Sequence, residues 1–332
     1  MRAAGGYSRH RPWPIQPCRL DRRSYARAMT ARRLKLPPAY GLARSDDGRR
    51  LACVGRNVVV LDMRERVRLS SSHPLSHPAY TSFSPNGEII AVKSTGGRIV
   101  TVDPNTGTVV YDYANQKDGE GCGVYFSPDG STLIDGSWAG VFMLRRATDG
   151  TIIFRDSYEG EMLPRISHDR ERRSWLVQHS PIVREGENQS RPDYLTLHRW
   201  PIVGETARTF AFNMHIDAAQ ISPDGTRFCF FQKWADRRVH IARISDGQIV
   251  SSSPVIEPGG TGSELVWSDD GECIAALGKG KFVFLRATDL AVIGQVEMDY
   301  ASSAIFMQDS DEVVLGSWKT SRVVRRDTVL RR

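Results

Sequence analysis

Histidines, cysteines and acidic side chains could carry catalysis or bind a metal, but their spacing in this chain matches no such motif. The eight histidines are scattered, with no H-x-x-x-H pair on a helix, no G-x-S-x-G turn and no glycine-rich phosphate loop. His73 and His77, in "SSHPLSHP", lie in a proline-rich stretch that we interpret as a loop. The spacing therefore predicts no catalytic residue, no metal site and no cofactor.

The five cysteines are odd in number and far apart, and none forms a C-x-x-C pair. Cys53, Cys229 and Cys273 stand in the apolar runs "LACVG", "RFCFF" and "ECIAA". Free cysteine behaves as a small apolar residue, and cytosolic proteins keep it reduced. We expect buried thiols in a reducing compartment rather than a disulfide or metal site.

Tryptophan occurs twice in a short glycine-led turn, where small or polar residues are usual. "GSWAG" covers residues 136–140 and "GSWKT" covers residues 316–320. The large indole ring is a frequent anchor of binding surfaces. These turns are therefore the first candidates for a functional site, and their role depends on the fold around them.

A turn motif recurs seven times along the chain. Its copies end at residues 48, 87, 130, 170, 225, 271 and 310, at intervals of 39, 43, 40, 55, 46 and 39. They read "SDDG", "FSPNG", "FSPDG", "ISHDR", "ISPDG", "WSDDG" and "FMQDS". Proline presets φ, Asp or Asn bonds to the local backbone, and glycine accepts a positive φ, so each copy predicts a turn between two strands.

Each repeat predicts four short strands. In the third unit "STLIDGS", "GVFMLRR" and "TIIFRDS" follow the motif, with short turns between them, and no helical periodicity is present. Four strands in about 40 to 45 residues, repeated, are typical of a β-propeller. The sequence thus predicts an all-β, seven-bladed β-propeller of four-stranded antiparallel blades.

The repeats resemble those of the WD-repeat propeller family, most closely in "GRIVTVDPNTGTVV" (97–110) and "LIDGSWAGVFML" (133–144). The resemblance covers residue 40 to the C-terminus. No unit ends its third strand in Trp-Asp and no Gly-His pair precedes a first strand, so the chain looks like a divergent, SPDG-type member. The buried polar tetrad of the family is therefore expected to be largely missing.

The seventh unit supplies only three strands before the chain ends at Arg332. "ARRLKL" (31–36) stands where an outer strand would fall, and pairing it with the last blade would close the ring. We therefore predict one propeller domain over residues 30–332. Residues 1–29 are predicted to be a disordered basic arm, and Met29 is an alternative initiator.

The net charge of +7 is concentrated at the N-terminus, where residues 1–34 hold nine arginines and one acidic residue. The propeller itself is close to neutral, which argues against nucleic-acid binding except through the arm. No stretch is long and apolar enough for a membrane span, and no secretory signal is present. We expect a cytoplasmic, monomeric protein without a membrane partner.

In propellers of the WD-repeat family, the turns between second and third strands share one face with the connections between blades. The resemblance places Trp138, Trp234 (in "QKWAD", 232–236) and Trp318 at one position of blades three, five and seven. One interpretation is an exposed aromatic rim for a protein or peptide partner. The other is that each indole packs against the edge of its neighbouring blade.

Blade four contains the one long insertion, "SPIVREGENQSRPDY" (180–194), on the same face. Long polar loops on a rigid scaffold are recognition elements or tolerated insertions. Under the first alternative, Arg184, Glu185, Glu187 and Arg191 are candidate contacts.

The leading hypothesis is a non-enzymatic scaffold or binding module that uses this face to bind a protein or peptide of unknown identity. The alternative is a propeller hydrolase of lactonase type, with Asp217, Glu264, His179 and His215 meeting at the channel mouth. That alternative rests on fold analogy.

Overall fold

The computed structural model describes residues 35–113, 120–182, 191–204, 206–233, 237–257 and 264–330. These residues form seven antiparallel sheets in chain order, six with four strands and the last with three. The first strand of each sheet contacts the first strands of its neighbours, and β1 of the first sheet contacts β25 of the last. The chain is thus a seven-bladed β-propeller whose first strands surround a central axis.

The first four blades contain sixteen strands, in order within each blade. Blade one is β1 (Gly41–Arg44), β2 (Arg50–Val54), β3 (Val58–Asp62) and β4 (Val67–Ser72); blade two is β5 (Pro78–Phe83), β6 (Ile90–Ser94), β7 (Ile99–Val102) and β8 (Val109–Tyr113); blade three is β9 (Gly121–Phe126), β10 (Thr132–Ser137), β11 (Val141–Arg146) and β12 (Ile152–Ser157); blade four is β13 (Glu161–His168), β14 (Ser174–Pro181), β15 (Tyr194–Arg199) and β16 (Arg208–Ala211).

The last three blades contain the remaining strands and one short helix. Blade five is β17 (Ile216–Ile221), β18 (Arg227–Gln232), β19 (Val239–Arg243) and β20 (Ile249–Ser252); blade six is β21 (Leu265–Trp267), β22 (Cys273–Gly278), β23 (Lys281–Arg286) and β24 (Val292–Glu297); blade seven is β25 (Ala301–Phe306), β26 (Glu312–Ser317) and β27 (Arg322–Arg325), followed by α1 (Arg326–Val329). No helix among the described residues has the length and apolar character needed to cross a membrane.

The recurring turn joins the first and second strands, as the sequence predicts. Its glycines adopt positive φ, for example 67° at Gly48 and 73° at Gly130. The serine that opens the motif contributes a part that the sequence analysis missed. The Ser127 hydroxyl donates to Asp129 and accepts the backbone N–H of Thr132, and four other blades repeat this pair of bonds. Each turn is therefore closed by a side chain as well as by backbone.

The predicted position of the blade-four turn is wrong by two residues. "ISHDR" places its end at Arg170, whereas the structure has positive φ at Arg172 (56°) and a bond from the Arg172 N–H to the Asp169 carbonyl. Ser127 and Gly130 make the same bond in blade three. Asp169 thus takes the position of the motif serine, and Arg172 takes the position of the motif glycine. The sequence pattern does not indicate this turn, because arginine seldom adopts positive φ.

Apolar clusters between neighbouring blades form the core. The second strands, and the third strands of the first six blades, are largely buried, whereas β27 of blade seven is not. One cluster joins Val54 and Val60 of blade one to Phe83 and Val92 of blade two. The four described cysteines are free and buried, and burial raises the pKa of Cys53 to about 12. This confirms inert, buried thiols at those positions.

Blade seven has three strands among the described residues. The strand predicted from residues 31–36 falls mostly outside them, and Lys35 to Tyr40 has no strand structure. The same stretch still links the ends of the ring, because the Ala39 N–H donates to the Ser317 carbonyl (2.9 Å). Leu36 and Ala39 are buried there.

Buried polar side chains link blades two and three, and a second group lies within blade four. Lys93 of blade two pairs with Asp135 of blade three, and Arg145 lies 3.4 Å from the same carboxylate. In blade four His179 bonds to Glu161 (3.1 Å) and to Thr196 (2.8 Å). Burial lowers the pKa of His179 to about 4, so the ring is neutral at physiological pH. Polar networks therefore do occur inside this ring, with residues other than those of the usual tetrad.

Candidate functional site

The turns between second and third strands lie at the end of the propeller where the chain passes from blade to blade. Of the seven residues proposed as a site, Trp138 (38% exposed), Trp318 (57% exposed) and Arg191 are exposed on the structure. The other four lie outside the described residues: Trp234, Arg184, Glu185 and Glu187. We name this end of the ring the connection face, and we name the end with the recurring turns the SPDG face.

Trp138 and Trp318 occupy the same position of their blades. The Trp138 N–H donates to the Glu120 carbonyl (2.7 Å), and the Trp318 N–H donates to the Tyr300 carbonyl (3.2 Å). In each case the acceptor precedes the first strand of the same blade. The backbone therefore fixes both indoles at the edge of the connection face.

The predicted equivalence of Trp234 with these two residues is wrong by one residue. In blade five the Lys233 N–H makes the corresponding bond, to the His215 carbonyl (2.7 Å). Lys233 also follows its motif end by the same number of residues as Trp138 and Trp318 do. The position of the tryptophans in blades three and seven is thus occupied by a lysine in blade five.

The glycine before each Ser-Trp pair lies in close contact with a neighbouring part of the ring. A Cβ on Gly316 would lie 2.7 Å from the Ala39 carbonyl oxygen, and one on Gly136 would lie 2.9 Å from the Ile166 side-chain terminus of blade four. The serine then anchors the blade-seven turn, because the Ser317 hydroxyl donates to the Asp299 carbonyl (2.7 Å) and accepts the Lys319 N–H (3.1 Å). Glycine and serine thus hold the tryptophan, which itself remains exposed.

Trp318 stacks on Tyr40, the residue before the first strand of blade one. The ring centroids are 4.7 Å apart at an interplanar angle of 31°. The Tyr40 hydroxyl donates to the Gly55 carbonyl (2.8 Å) and also contacts the Pro78 carbonyl, and burial raises the pKa of this phenol. Tyr40 is therefore a fixed platform, and one face of the indole is supported while the rest meets solvent.

Tyr300 extends the exposed aromatic surface next to Trp318. Its side chain is 53% exposed, and the Lys319 ammonium lies 4.0 Å from its ring centroid. A cation over an aromatic face contributes about 0.5–1 kcal/mol at an exposed site. We name Tyr40, Tyr300, Trp318 and Lys319 the blade-seven cluster.

The turn that carries Trp138 is supported by different contacts. The carbonyl oxygen of Gly136, two residues earlier, accepts a bond from the buried Lys93 ammonium (2.5 Å). The next turn residues continue into the blade connection, where the Tyr158 N–H donates to the Gly140 carbonyl (2.8 Å). The blade-three turn thus rests on a buried ion pair, whereas the blade-seven turn rests on an aromatic platform.

The second candidate feature is a cavity of about 660 Å³ on the propeller axis, open toward the SPDG face. Residues from the first strands of all seven blades line it. Its volume is in the range of small-molecule sites. Two ion pairs bridge non-adjacent blades at its mouth: Arg172 of blade four binds Asp46 of blade one through two bonds of 2.5 and 2.8 Å, and Arg44 pairs with Asp269 of blade six.

These ion pairs hold charges in a partly desolvated site. Burial lowers the pKa of Arg44, and burial raises the pKa of Asp269 although Arg44 opposes that effect. The sequence contains a signal for some of the polar residues that line the cavity. The second residue of the recurring turn is proline in blades two, three and five, but it is Asp46, Arg170, Asp269 and Gln308 in the other blades, and all four line the cavity.

The four residues of the hydrolase alternative have different partners. Glu264 pairs with Arg165 (3.0 Å), Asp217 lies 3.7 Å from Arg237, and His215 lies 3.6 Å from Asp193. His179 is fully buried, and both of its ring nitrogens are engaged in blade four. Across the described residues no group of three or more His, Cys, Asp or Glu side chains could hold a metal ion.

Comparison with known proteins identifies the architecture. No family model matches the chain, and no curated protein matches it. Among solved structures, the hydrazine synthase of Kuenenia stuttgartiensis superimposes with a TM-score of 0.71 at 13% identity, covering 90% of this chain and 98% of that chain. In all, 1738 chains of solved structures match, so the likeness is to a widely used fold. The chain is similar to these proteins as a seven-bladed β-propeller.

Proposed function

We propose that this protein is a non-enzymatic interaction module that binds a protein or peptide partner through the connection face, at the blade-seven cluster. The observation that carries the proposal is the exposure of Trp318. An indole that is 57% exposed yet stacked on a fixed neighbour is unusual for a side chain that only fills space between blades.

The energetic argument concerns pre-organisation. Binding through a mobile side chain loses about 0.5–1.5 kcal/mol in ordering it. Trp318 is already restrained by its backbone bond, by the Ser317 hydroxyl and by the Tyr40 ring. Its exposed surface can therefore be buried by a partner at low entropic cost, as is typical of binding hot spots.

Two exposed aromatic rings make the surface more selective than one. Tyr300 and Trp318 flank the same backbone bond, so both rings face solvent at one edge of blade seven. Aromatic residues contribute large apolar area and few rotatable bonds, and they are enriched at interfaces. This arrangement suits an apolar side chain of a partner segment.

The test compares partner capture by the wild-type chain and by Trp318→Ala. The control variant is Val110→Ser, which removes an exposed apolar side chain (56% exposed) from the outer strand of blade two. Captured proteins are identified by mass spectrometry, and the strongest is purified and titrated against all three chains. Folding of each variant is checked by thermal unfolding.

We expect Trp318→Ala to weaken binding of that partner by about 2 kcal/mol, roughly thirty-fold, and Val110→Ser to leave it unchanged. Equal binding by the wild-type chain and folded Trp318→Ala would overturn the proposed site.

A further inference from the structure

The turns that surround the blade-seven cluster carry one sign of charge. The second-to-third-strand turns of blades six, seven and one are neighbours around the ring, and they cover residues 279–280, 318–321 and 55–57. Together with the first residue of the strand that follows each turn, they contain five cationic residues and no acidic residue: Lys279, Lys281, Lys319, Arg322 and Arg56. Four of the five are exposed, and Lys281 is partly exposed.

Three exposed acidic residues, Glu257, Glu297 and Asp299, lie beside these turns. The Lys279 N–H donates to the Glu257 carbonyl, Glu297 pairs in register with Lys281, and Asp299 accepts a bond from Ser317 through its backbone carbonyl. Among the described residues around Trp318, cations therefore outnumber acids by five to three. This is notable because the propeller without the N-terminal arm has almost no net charge.

Among the described residues, the equivalent surface at Trp138 has the opposite sign. Glu120 and Glu159, which are exposed, flank the Trp138 turn in the neighbouring connections. Arg98, the nearest cation in the turn of blade two, is held by Asp112 in a bidentate pair. The described residues around the same tryptophan position thus have an excess of cations in blade seven and an excess of acids in blade three.

We infer that the blade-seven cluster selects an acidic peptide segment with one apolar anchor residue. This inference rests on the proposed function and specifies its partner. The anchor side chain packs against Trp318 and Tyr300, while Asp or Glu residues on either side of it meet the cations of the three turns. Complementary charge raises the association rate and excludes segments of the wrong sign.

Ammonium and guanidinium groups also attract phosphate, so a nucleic acid is the main competing occupant. The geometry favours the peptide for two reasons. The apolar rings stand at the centre of the cationic region, and the cations come from three separate turns rather than from one continuous stripe along a groove.

The test uses fluorescence anisotropy with defined probes. The first probe is a short labelled peptide in which glutamates flank a central leucine. The second replaces the glutamates by lysines, the third replaces the leucine by glycine, and the fourth is a labelled oligothymidine. The protein variants are Lys279→Gln with Lys319→Gln, and a control that removes two exposed cations elsewhere, Arg64→Gln with Arg68→Gln.

We expect the acidic leucine peptide to bind most tightly of the four probes, with an affinity that falls about five- to ten-fold when the two lysines are replaced and also falls as salt rises. The control pair should leave binding unchanged. Binding of the glycine peptide should be weaker by about ten-fold or more because the anchor is lost.

Three results would overturn the inference. They are equal binding of the lysine peptide, indifference of the acidic peptide to replacement of Lys279 and Lys319, and tight binding of the oligothymidine in place of the peptides. A partner captured through Trp318 with any of these results would leave the proposed function standing and remove only its acidic specificity.

Discussion

Trp138 and Trp318 hold one structural position in two blades of the same ring, but they differ in exposure, in the contacts that support their turns and in the charges around them. Trp318 is the more exposed, stacks on an aromatic platform and lies among cations. Trp138 lies among acids, and its turn rests on a buried ion pair. A repeat thus fixes where a side chain is placed, while the neighbouring blade decides what that side chain can do.

The turns of Trp138 and Trp318 are supported by different contacts, and this difference predicts the largest effect on stability. Lys93→Ala removes one partner of the buried Lys93–Asp135 pair and leaves the carboxylate inside the protein. Breaking such a pair costs about 3–5 kcal/mol. We expect this loss in the free energy of unfolding, measured by urea denaturation with circular dichroism.

The matched control is Lys319→Ala, which removes the exposed lysine of the blade-seven turn. Its loss should stay within about 1 kcal/mol, the contribution of its contact with the Tyr300 ring. Equal losses in the free energy of unfolding for the two lysine variants would show that the buried ion pair does not support the blade-three turn more strongly than the exposed lysine supports the blade-seven turn.

The difference in exposure and charge predicts the largest effect on binding. Against one purified partner, Trp318→Ala should cost about 2 kcal/mol or more, whereas Trp138→Ala should change affinity by less than about 0.5 kcal/mol. Isothermal titration calorimetry measures both. A larger loss for Trp138→Ala would move the binding site to blade three.

Replacing the glycine before Trp318 by alanine should cost more stability than replacing the glycine before Trp138. An alanine Cβ at position 316 meets the Ala39 backbone oxygen, which cannot move without shifting the chain between blades seven and one. At position 136 it meets Cys122 and the Ile166 side-chain terminus (2.9 Å), which can rotate. We expect Gly316→Ala to cost about 1–3 kcal/mol and Gly136→Ala less, by thermal or urea unfolding. The reverse order would contradict the close contact at the ring closure.

The smallest effect is expected for Tyr40→Phe. This variant keeps the ring under Trp318 and removes the hydroxyl that bonds to backbone carbonyls. The loss of stability should be about 1 kcal/mol, and partner affinity should change little. Tyr40→Ala also removes the platform and should weaken partner binding clearly. Equal partner affinities for the two variants would show that the stacked ring plays no part in binding.

Much of the fold could be predicted from sequence, because its turns carry their own chemistry. The Ser-Pro-Asp-Gly pattern encodes a hydrogen-bonded turn locally, and its spacing predicts four strands per blade. The prediction of the blade-four turn failed where Arg172 takes the place of glycine, since positive φ at arginine is maintained by the fold and not by the residue. The last blade has three described strands, so pairing of residues 31–36 with it stays a prediction.

The site could be predicted only in part. The sequence indicates which residues occupy the turn of blade seven, but Tyr40 reaches Trp318 only because the ring brings the first and last blades together. The equivalence of Trp234 failed because Lys233, one residue closer to the motif, makes the backbone bond that Trp138 and Trp318 make in their blades. Asp46 and Asp269 of the axial cavity stand where other copies of the turn motif have proline, whereas their partners Arg172 and Arg44 have no such signal in the sequence.

The most direct test of the central proposal is the solvent accessibility of the two tryptophans in a complex with the captured partner. Hydroxyl-radical footprinting with mass spectrometry reports the oxidation rate of Trp138 and Trp318 in one sample. We expect strong protection of Trp318 and an unchanged rate at Trp138. Protection of Trp138 alone, or of neither residue, would contradict binding at the blade-seven cluster.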